Sequence, residues 1–216
     1  MPRILDARHD RFVLSRPFRI ARGVKTAADV ITVTVAEGRV AGRGEGVPYA
    51  RYGESVERSL AAIEGARAAV EAGADRQDLL SLLPPGAARN AVDCALWDLE
   101  ARLSGEEVAA RLGVAAAGPI VSALTIGIDS PSAMAEAARA AGQAPLLKVK
   151  VDAERPAARI FAVRGAAPRA VLIVDPNESW DRALVEAMQP VLLEADVALL
   201  EQPVPAGSDS WLEGFA

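Results

Sequence analysis

The chain is nearly devoid of thiol and imidazole: its 216 residues include one cysteine, Cys94, and one histidine, His9. A single thiol excludes an intrachain disulfide framework and a cysteine-rich zinc site. A single imidazole excludes a histidine metal cluster, and a Ser-His-Asp triad could draw on His9 alone. Aromatic residues are scarce, at 4%. No run of about 18 uncharged apolar residues occurs, which excludes a helix that spans a bilayer. The start, Met1-Pro2-Arg3-Ile4-Leu5-Asp6, lacks the apolar stretch of a signal peptide. Nor does one charge dominate: 24 basic against 29 acidic side chains leave a net charge of −5. That balance argues against a broad nucleic-acid or anionic-membrane surface and leaves room for a local basic pocket. A soluble, cytoplasmic protein is expected.

Hydrophobic residues make up 51% of the sequence, enough for one large core or two smaller ones. Ile31, Val33 and Val35 alternate with Thr32 and Thr34, the period of a half-buried strand. Glu37-Gly38 supplies a turn, so residues 30–45 read as a hairpin, with a further strand around Phe12-Val13-Leu14. Ser55 is placed to cap a helix whose Leu60, Ile63 and Val70 share a face, ended by Gly73. A short helix near 76–82 stops at Pro84-Pro85, and another runs from about Ala87 to Leu103 with Val92, Leu96, Leu99 and Leu103 on one stripe. Strands followed by helices predict an α+β domain over residues 1–117.

After a linker at Ala115-Ala116-Ala117-Gly118-Pro119 the rhythm changes. Apolar runs begin near Ile120, Pro145, Ala170 and Val197, about 25 residues apart. Helical stretches lie between them, opened by Ser130-Pro131, after Asp152 and near Asp181; Pro190 counts against a straight third helix. Apolar strands joined by helices predict βαβ units in a parallel sheet over residues 118–216. Eight such units need roughly 200 residues. The stretch from Ile120 to Ala216 has 97. It holds about half of a (β/α) barrel, or a small open sheet.

Chemistry is suggested where a buried strand should be apolar. In Leu146-Leu147-Lys148-Val149-Lys150-Val151 the two lysines point to one face, about 7 Å apart by strand rise. Inside a barrel mouth, repulsion and desolvation would lower a lysine's pKa and make a usable base. On an edge strand both would simply be solvated; the pattern leaves the two readings open. The next two strands run into Asp175 and Glu201. Active sites of parallel α/β folds lie at these strand ends, where carboxylates gather a hard cation such as Mg²⁺. A lone acid there is also a common helix cap.

Lys148-Val149-Lys150, Asp175-x-Asn177-x-x-Trp180 and Glu201-Gln202-Pro203 resemble the enolase superfamily, muconate-lactonising subgroup. The segments Ile20-Ala21-Arg22-Gly23, Pro48 to Ser55 and Ala88 to Leu99 narrow the resemblance to the N-terminal part of dipeptide epimerases. The resemblance implies an α+β capping domain followed by a (β/α)7β-type barrel, here cut to about four β/α units. It implies an isomerase that removes the proton α to a carboxylate through an enolate, with one Mg²⁺ per site and a dipeptide such as L-Ala-L-Glu as substrate. Lys150 would be the base and Lys148 its partner in lowering pKa and holding the enolate oxygen. Asp175 and Glu201 would be metal ligands. Arg22 and Thr125 would contact substrate, with Tyr49, Arg51 and Asn177 as further site residues.

Pro176 stands where that family usually has alanine. The family's third metal carboxylate and second catalytic lysine belong to later barrel strands, beyond Glu201. The chain therefore reads as a fragment or truncated product with one catalytic face, inactive as it stands. An N-acylamino acid racemase, a muconate cycloisomerase or an o-succinylbenzoate synthase would share the lysine pair and acids. A non-catalytic module, assembling as a homo-oligomer through open strand edges, is the contrasting class. Among other residues, His9 reads as a surface group, Cys94 as a small buried hydrophobe, and Trp97 and Trp180 as packing residues. Gly42, Gly44 and Gly46 do not form a phosphate loop. Trp211 and Phe215 would pack on later barrel helices.

Overall fold

The computed structural model describes residues 2–21, 23–115 and 118–213, the Arg16 side chain excepted. They form two compact units, Met1–Leu14 with Ala27–Gly118, and Ser15–Thr26 with Pro119–Ala216. The far ends of the first two strands, Ser15–Thr26, thus count with the second unit.

The first unit carries a three-stranded sheet in the order β1 (Arg3–Ile20), β2 (Gly23–Glu37), β3 (Val40–Gly46). Alternation does its expected work: Ile31, Val33 and Val35 are buried while the threonines between them are not. In the antiparallel β2–β3 register these three face Gly46, Gly44 and Gly42. Helix α1 (Val56–Glu71) starts where Ser55 Oγ accepts a hydrogen bond from Arg58 N at 3.2 Å, and it buries Ile63 and Val70. After the single turn α2 (Leu79–Leu82) comes α3 (Ala87–Ser104), ended by Gly105 in the left-handed region, and a short α4 (Val108–Arg111).

The three glycines of β3 explain how α3 lies on the sheet. A Cβ at Gly42, Gly44 or Gly46 would stand 2.2, 2.0 or 2.1 Å from the carbonyl oxygen of Ala95, Ala91 or Ala87. Two strand residues advance about 6.7 Å and four helix residues about 6 Å, so a glycine ladder meets a carbonyl ladder turn by turn. These glycines make room for a helix backbone.

The second unit is a parallel sheet in the order β4 (Leu124–Ile126), β5 (Leu146–Lys150), β6 (Val171–Asp175), β7 (Val197–Leu200). Helices α5 (Pro131–Ala140), α6 (Pro156–Ala166) and α7 (Arg182–Glu194) connect them. Leu147, Val149, Leu172 and Val174 pack with Met134, Ile160, Val163 and Val185 of the helices in one core. Ser130 and Asp181 cap α5 and α7 by accepting from Ala133 N and Leu184 N. With β4 and β7 at its edges, the sheet is a barrel portion and not a closed barrel. No helix among the described residues is long and apolar enough to cross a membrane.

Four expectations need correction. The first barrel strand starts at Leu124, not near Ile120, which is 83% exposed ahead of it. Leu103 leaves the buried stripe of α3, because by then the helix has passed beyond the sheet, and it is exposed. Cys94 is exposed, not buried. Trp211 does not await later helices: it packs partly buried on the second unit's own core, with the Arg182 guanidinium 5.2 Å from its ring centre. Helix α7 also continues through Pro190. Phe215 and the linker residues 116 and 117 lie outside the described residues.

Candidate active site

β5 and β6 bring the charged residues together by register alone, since Lys150 is paired with Asp175 and Lys148 with Ile173. Residues two apart on β5 share a face, and strand twist brings Glu201, just past β7, within reach of the same point. Lys148 and Lys150 are two of the three lysines in the whole sequence. Lys150 Nζ donates to Asp175 Oδ2 at 2.5 Å. Lys148 Nζ lies 3.0 Å from that same oxygen, and 2.7 and 2.6 Å from Oε1 and Oε2 of Glu201. Asn177 N donates to Asp175 Oδ1 at 2.8 Å. The arrangement is a neutral cluster of two ammoniums and two carboxylates, with Asp175 fully buried.

Burial alone would raise the pKa of Asp175, but hydrogen bonds from Lys150, Lys148 and Asn177 N outweigh it and hold the carboxyl below its ordinary value. At Lys148 the ion pairs set the outcome, not the lysine–lysine repulsion. Burial there pulls the pKa down, yet hydrogen bonds to Glu201 and Asp175 prevail and raise it above the ordinary lysine value. The two strand-end carboxylates lie 3.0 and 2.6 Å from the Lys148 ammonium and offset its repulsion by Lys150.

Thr125 on β4 is half-buried and in register with Lys148. It also forms part of the wall of a cleft of about 680 Å³ between Pro17, Phe18, Arg19 and Val24 on one side and the β4–α5 segment on the other, a cleft that the four charged groups do not line. In the first unit Arg51 lies within a 3-10 turn, Ala50–Tyr52, and Tyr49 precedes it, with the Tyr49 and Tyr52 rings 5.7 Å apart. Glu54 shapes that loop: its Oε2 accepts from Tyr49 N and its Oε1 from Ala87 N at the start of α3. Arg22 lies outside the described residues. His9 is on the surface, bonded to Asp29.

Sequence reasoning missed the groups that hold the strand-end loops. Arg159 of α6 is buried and reaches two of them: its Nε donates to Asp129 O at 3.0 Å in the loop after β4, and its Nη1 bonds the Asp152 carboxylate and Glu154 O in the loop after β5. Trp180 Nε1 donates to Asp152 O, and Trp180 N to Pro203 O, both at 3.0 Å. An arginine in the apolar run beside Ile160 and Val163 was the available signal. Asn177, Glu178 and Gln202 all have positive φ, at 50°, 68° and 46°. Backbone held there by non-glycine residues concentrates at functional sites.

Oxygen donors alone, from two carboxylates that already share one positive centre at Lys148, suit a hard divalent cation that keeps several waters. Asp175 and Glu201 could give Mg²⁺ two of its oxygen ligands; among the described residues no group of three or more His, Cys, Asp or Glu side chains stands together to hold a metal ion.

A parallel strand-end site of paired lysines and acids, in a chain that also carries an α+β unit, is the pattern of an enolase-type protein. The chain belongs to the mandelate racemase / muconate lactonizing enzyme family, whose N-terminal domain matches residues 5–113. It is 44% identical over 204 residues to the L-Ala-D/L-Glu epimerase of Escherichia coli, across 94% of this chain and 64% of that one. An enolase family member from Agrobacterium tumefaciens with homology to dipeptide epimerases, solved with sodium and L-Ala-L-Glu, superposes with a TM-score of 0.93 at 46% identity. That match covers 98% of this chain and 65% of the other. A dipeptide epimerase from Methylococcus capsulatus, complexed with Mg and L-Arg-D-Lys, gives a TM-score of 0.86 at 32% identity, over 98% and 64% of the two chains. The chain thus spans just under two-thirds of the length of these relatives.

Proposed function

We propose that these residues form the N-terminal part of a Mg²⁺-dependent dipeptide epimerase acting on L-Ala-L-Glu or a close analogue. Residues 1–117 would serve as its capping domain and 118–216 as the first half of its barrel. The observation that carries this reading is the Lys148–Lys150–Asp175–Glu201 cluster at the carboxyl ends of parallel strands. The likeness to epimerases that act on or bind such dipeptides supports it.

In this reading Lys150, as the neutral amine left once its ammonium has passed a proton to solvent, takes the proton from the glutamate α-carbon, and the electron pair moves onto the adjacent carboxylate as an enolate. Lys148 presents its ammonium to the developing oxygen charge. Mg²⁺, held by Asp175 and Glu201, would supply Lewis-acid stabilisation of that charge. A carbon acid this weak needs such cationic help in a site closed to water. The Arg159–Asp152–Trp180 links keep the strand-end loops in place around the lysines. Arg22 and Thr125, with Tyr49, Arg51 and Asn177, would bind substrate.

Epimerisation returns the proton on the opposite face, so a second base and a further metal carboxylate are required. The 216 residues on their own are expected not to epimerise L-Ala-L-Glu, and their open β4 and β7 edges favour self-association. By the family resemblance, joining them to the remaining third of the E. coli relative would supply both groups. That joined chain should epimerise L-Ala-L-Glu, assayed by chiral chromatography. Turnover of N-acetyl-glutamate or a muconate in its place would overturn the assignment of substrate; activity of the 216 residues alone would overturn the division of labour.

A further inference from the structure

We propose that Lys148 is a displaceable counter-ion: in the metal-free protein its ammonium occupies the place between Asp175 and Glu201, and a divalent cation binds only by expelling it. This rests on the metal-site reading above and extends it to how the site loads.

Among the described residues, Lys148 is the group whose ammonium ion-pairs with both carboxylates, at 3.0 Å to Asp175 and 2.6 Å to Glu201. Lys150 pairs with Asp175 alone. With both lysines in place the cluster is neutral, so a dication added to it would face two nearby ammoniums and gain no net negative charge. One lysine must withdraw, and exposure decides which. The side chains of Lys150 and Asp175 are 10% and 1% exposed, whereas those of Lys148 and Glu201 are 23% and 33% exposed. Lys148 can swing outward from between the carboxylates, to the open side of the site where water or a substrate oxygen meets its ammonium, whereas the more buried Lys150 has less room to move. The long, flexible stem of Lys148 suits that motion better than a rigid guanidinium fork would.

Two consequences follow from competition for one place. The metal-free protein is spared an uncompensated pair of carboxylates. The apparent metal affinity is reduced by however tightly the ammonium holds on, as for any ligand that must displace an occupant.

The test uses the 216-residue chain and Mg²⁺ or Mn²⁺ as probes, with calorimetric titration. Lys148→Met should bind the metal at least tenfold more tightly than the unaltered chain, about 1.4 kcal/mol. Adding Glu201→Gln to it should remove the gain. Equal or weaker binding by Lys148→Met, or no binding by either chain, overturns the proposal. A second measurement needs no substitution: acylation of Lys148, followed by mass spectrometry, should speed up when Mg²⁺ is added while that of surface Lys25 stays constant. Unchanged or slower Lys148 labelling also overturns it. Loss of epimerisation in the joined chain, with the Lys148→Met gain intact, would sink the functional reading and leave this one standing. The reverse pattern would sink this one alone.

Discussion

Placing one methyl group on β3 should cost the first unit a large part of its stability. In Gly44→Ala the new Cβ would lie 2.0 Å from Ala91 O, 2.6 Å from Ala95 N and 3.0 Å from Cys94 Cβ. Ordinary contact begins near 3.4 Å, so strand and helix must part by more than 1 Å at the centre of their interface. Overpacking a core costs about 1–3 kcal/mol when side chains can yield. Here the nearest obstacles are main-chain atoms of α3, so the upper end, about 3 kcal/mol, is expected. At roughly 2–4 °C per kcal/mol for a chain of this size, the melting temperature should drop by about 6–12 °C. Urea and thermal unfolding followed by circular dichroism would measure it. Gly65→Ala is the control: Gly65 is exposed within α1 with nothing near its would-be Cβ, so alanine should stabilise by up to about 1 kcal/mol. Ala91→Gly should fail to rescue Gly44→Ala, because the obstacle is a carbonyl and not a methyl group. A Gly44→Ala change within 0.5 kcal/mol, or a full rescue, would refute the glycine-ladder account.

The charged cluster and the thiol yield three further expectations. Asp175→Asn leaves two ammoniums without their shared buried carboxylate and should destabilise the metal-free chain by about 3–5 kcal/mol in urea; a loss under 1 kcal/mol would contradict the geometry. Because the Asp175 pKa is depressed in the fold, its stabilisation is present above the ordinary aspartate value of about 3.9 and is lost as pH falls through the lowered value. Acid unfolding in EDTA should therefore steepen below about pH 4, and the effect should shrink in Asp175→Asn. Cys94 is exposed, but burial of its sulfur and then the nearby Asp93 charge raise its thiol pKa. Alkylation by iodoacetamide should go to completion yet accelerate only above the usual thiol range near 8.5, and full speed at pH 7 would argue otherwise.

What the sequence disclosed was local in origin. The caps at Ser55, Ser130 and Asp181, the alternation of Ile31, Val33 and Val35, and the shared face of Lys148 and Lys150 all depend on neighbours within a turn or strand. Strand-end acids were legible because a parallel sheet puts its strand ends together. Long-range partners were not. The bond of Arg159 to Asp129 joins residues 30 apart in the chain, and the direct pairing of Lys148 with the Asp175 and Glu201 carboxylates, which raises its pKa, likewise appears only in the fold. Glycines 42, 44 and 46 form no phosphate loop, as their spacing suggested, but their use in seating α3 appears only once the helix is in place. Ile120 and Val121 look like strand residues by type, yet lie exposed ahead of β4 without a ladder to join.

The central claim is that Lys150 removes an α-proton, and hydrogen exchange reads this without needing net turnover. The 216 residues joined to the remainder of the E. coli relative would be incubated with Mg²⁺ in D₂O, with L-Ala-L-Glu and L-Ala-D-Glu in separate samples. Loss of the glutamate α-proton signal by NMR gives the rate from each face. The account predicts exchange from both epimers, with Lys150→Ala slowing one of them by about 10²–10⁴-fold, the usual contribution of a positioned base. Exchange of both epimers at undiminished rates in Lys150→Ala would contradict it.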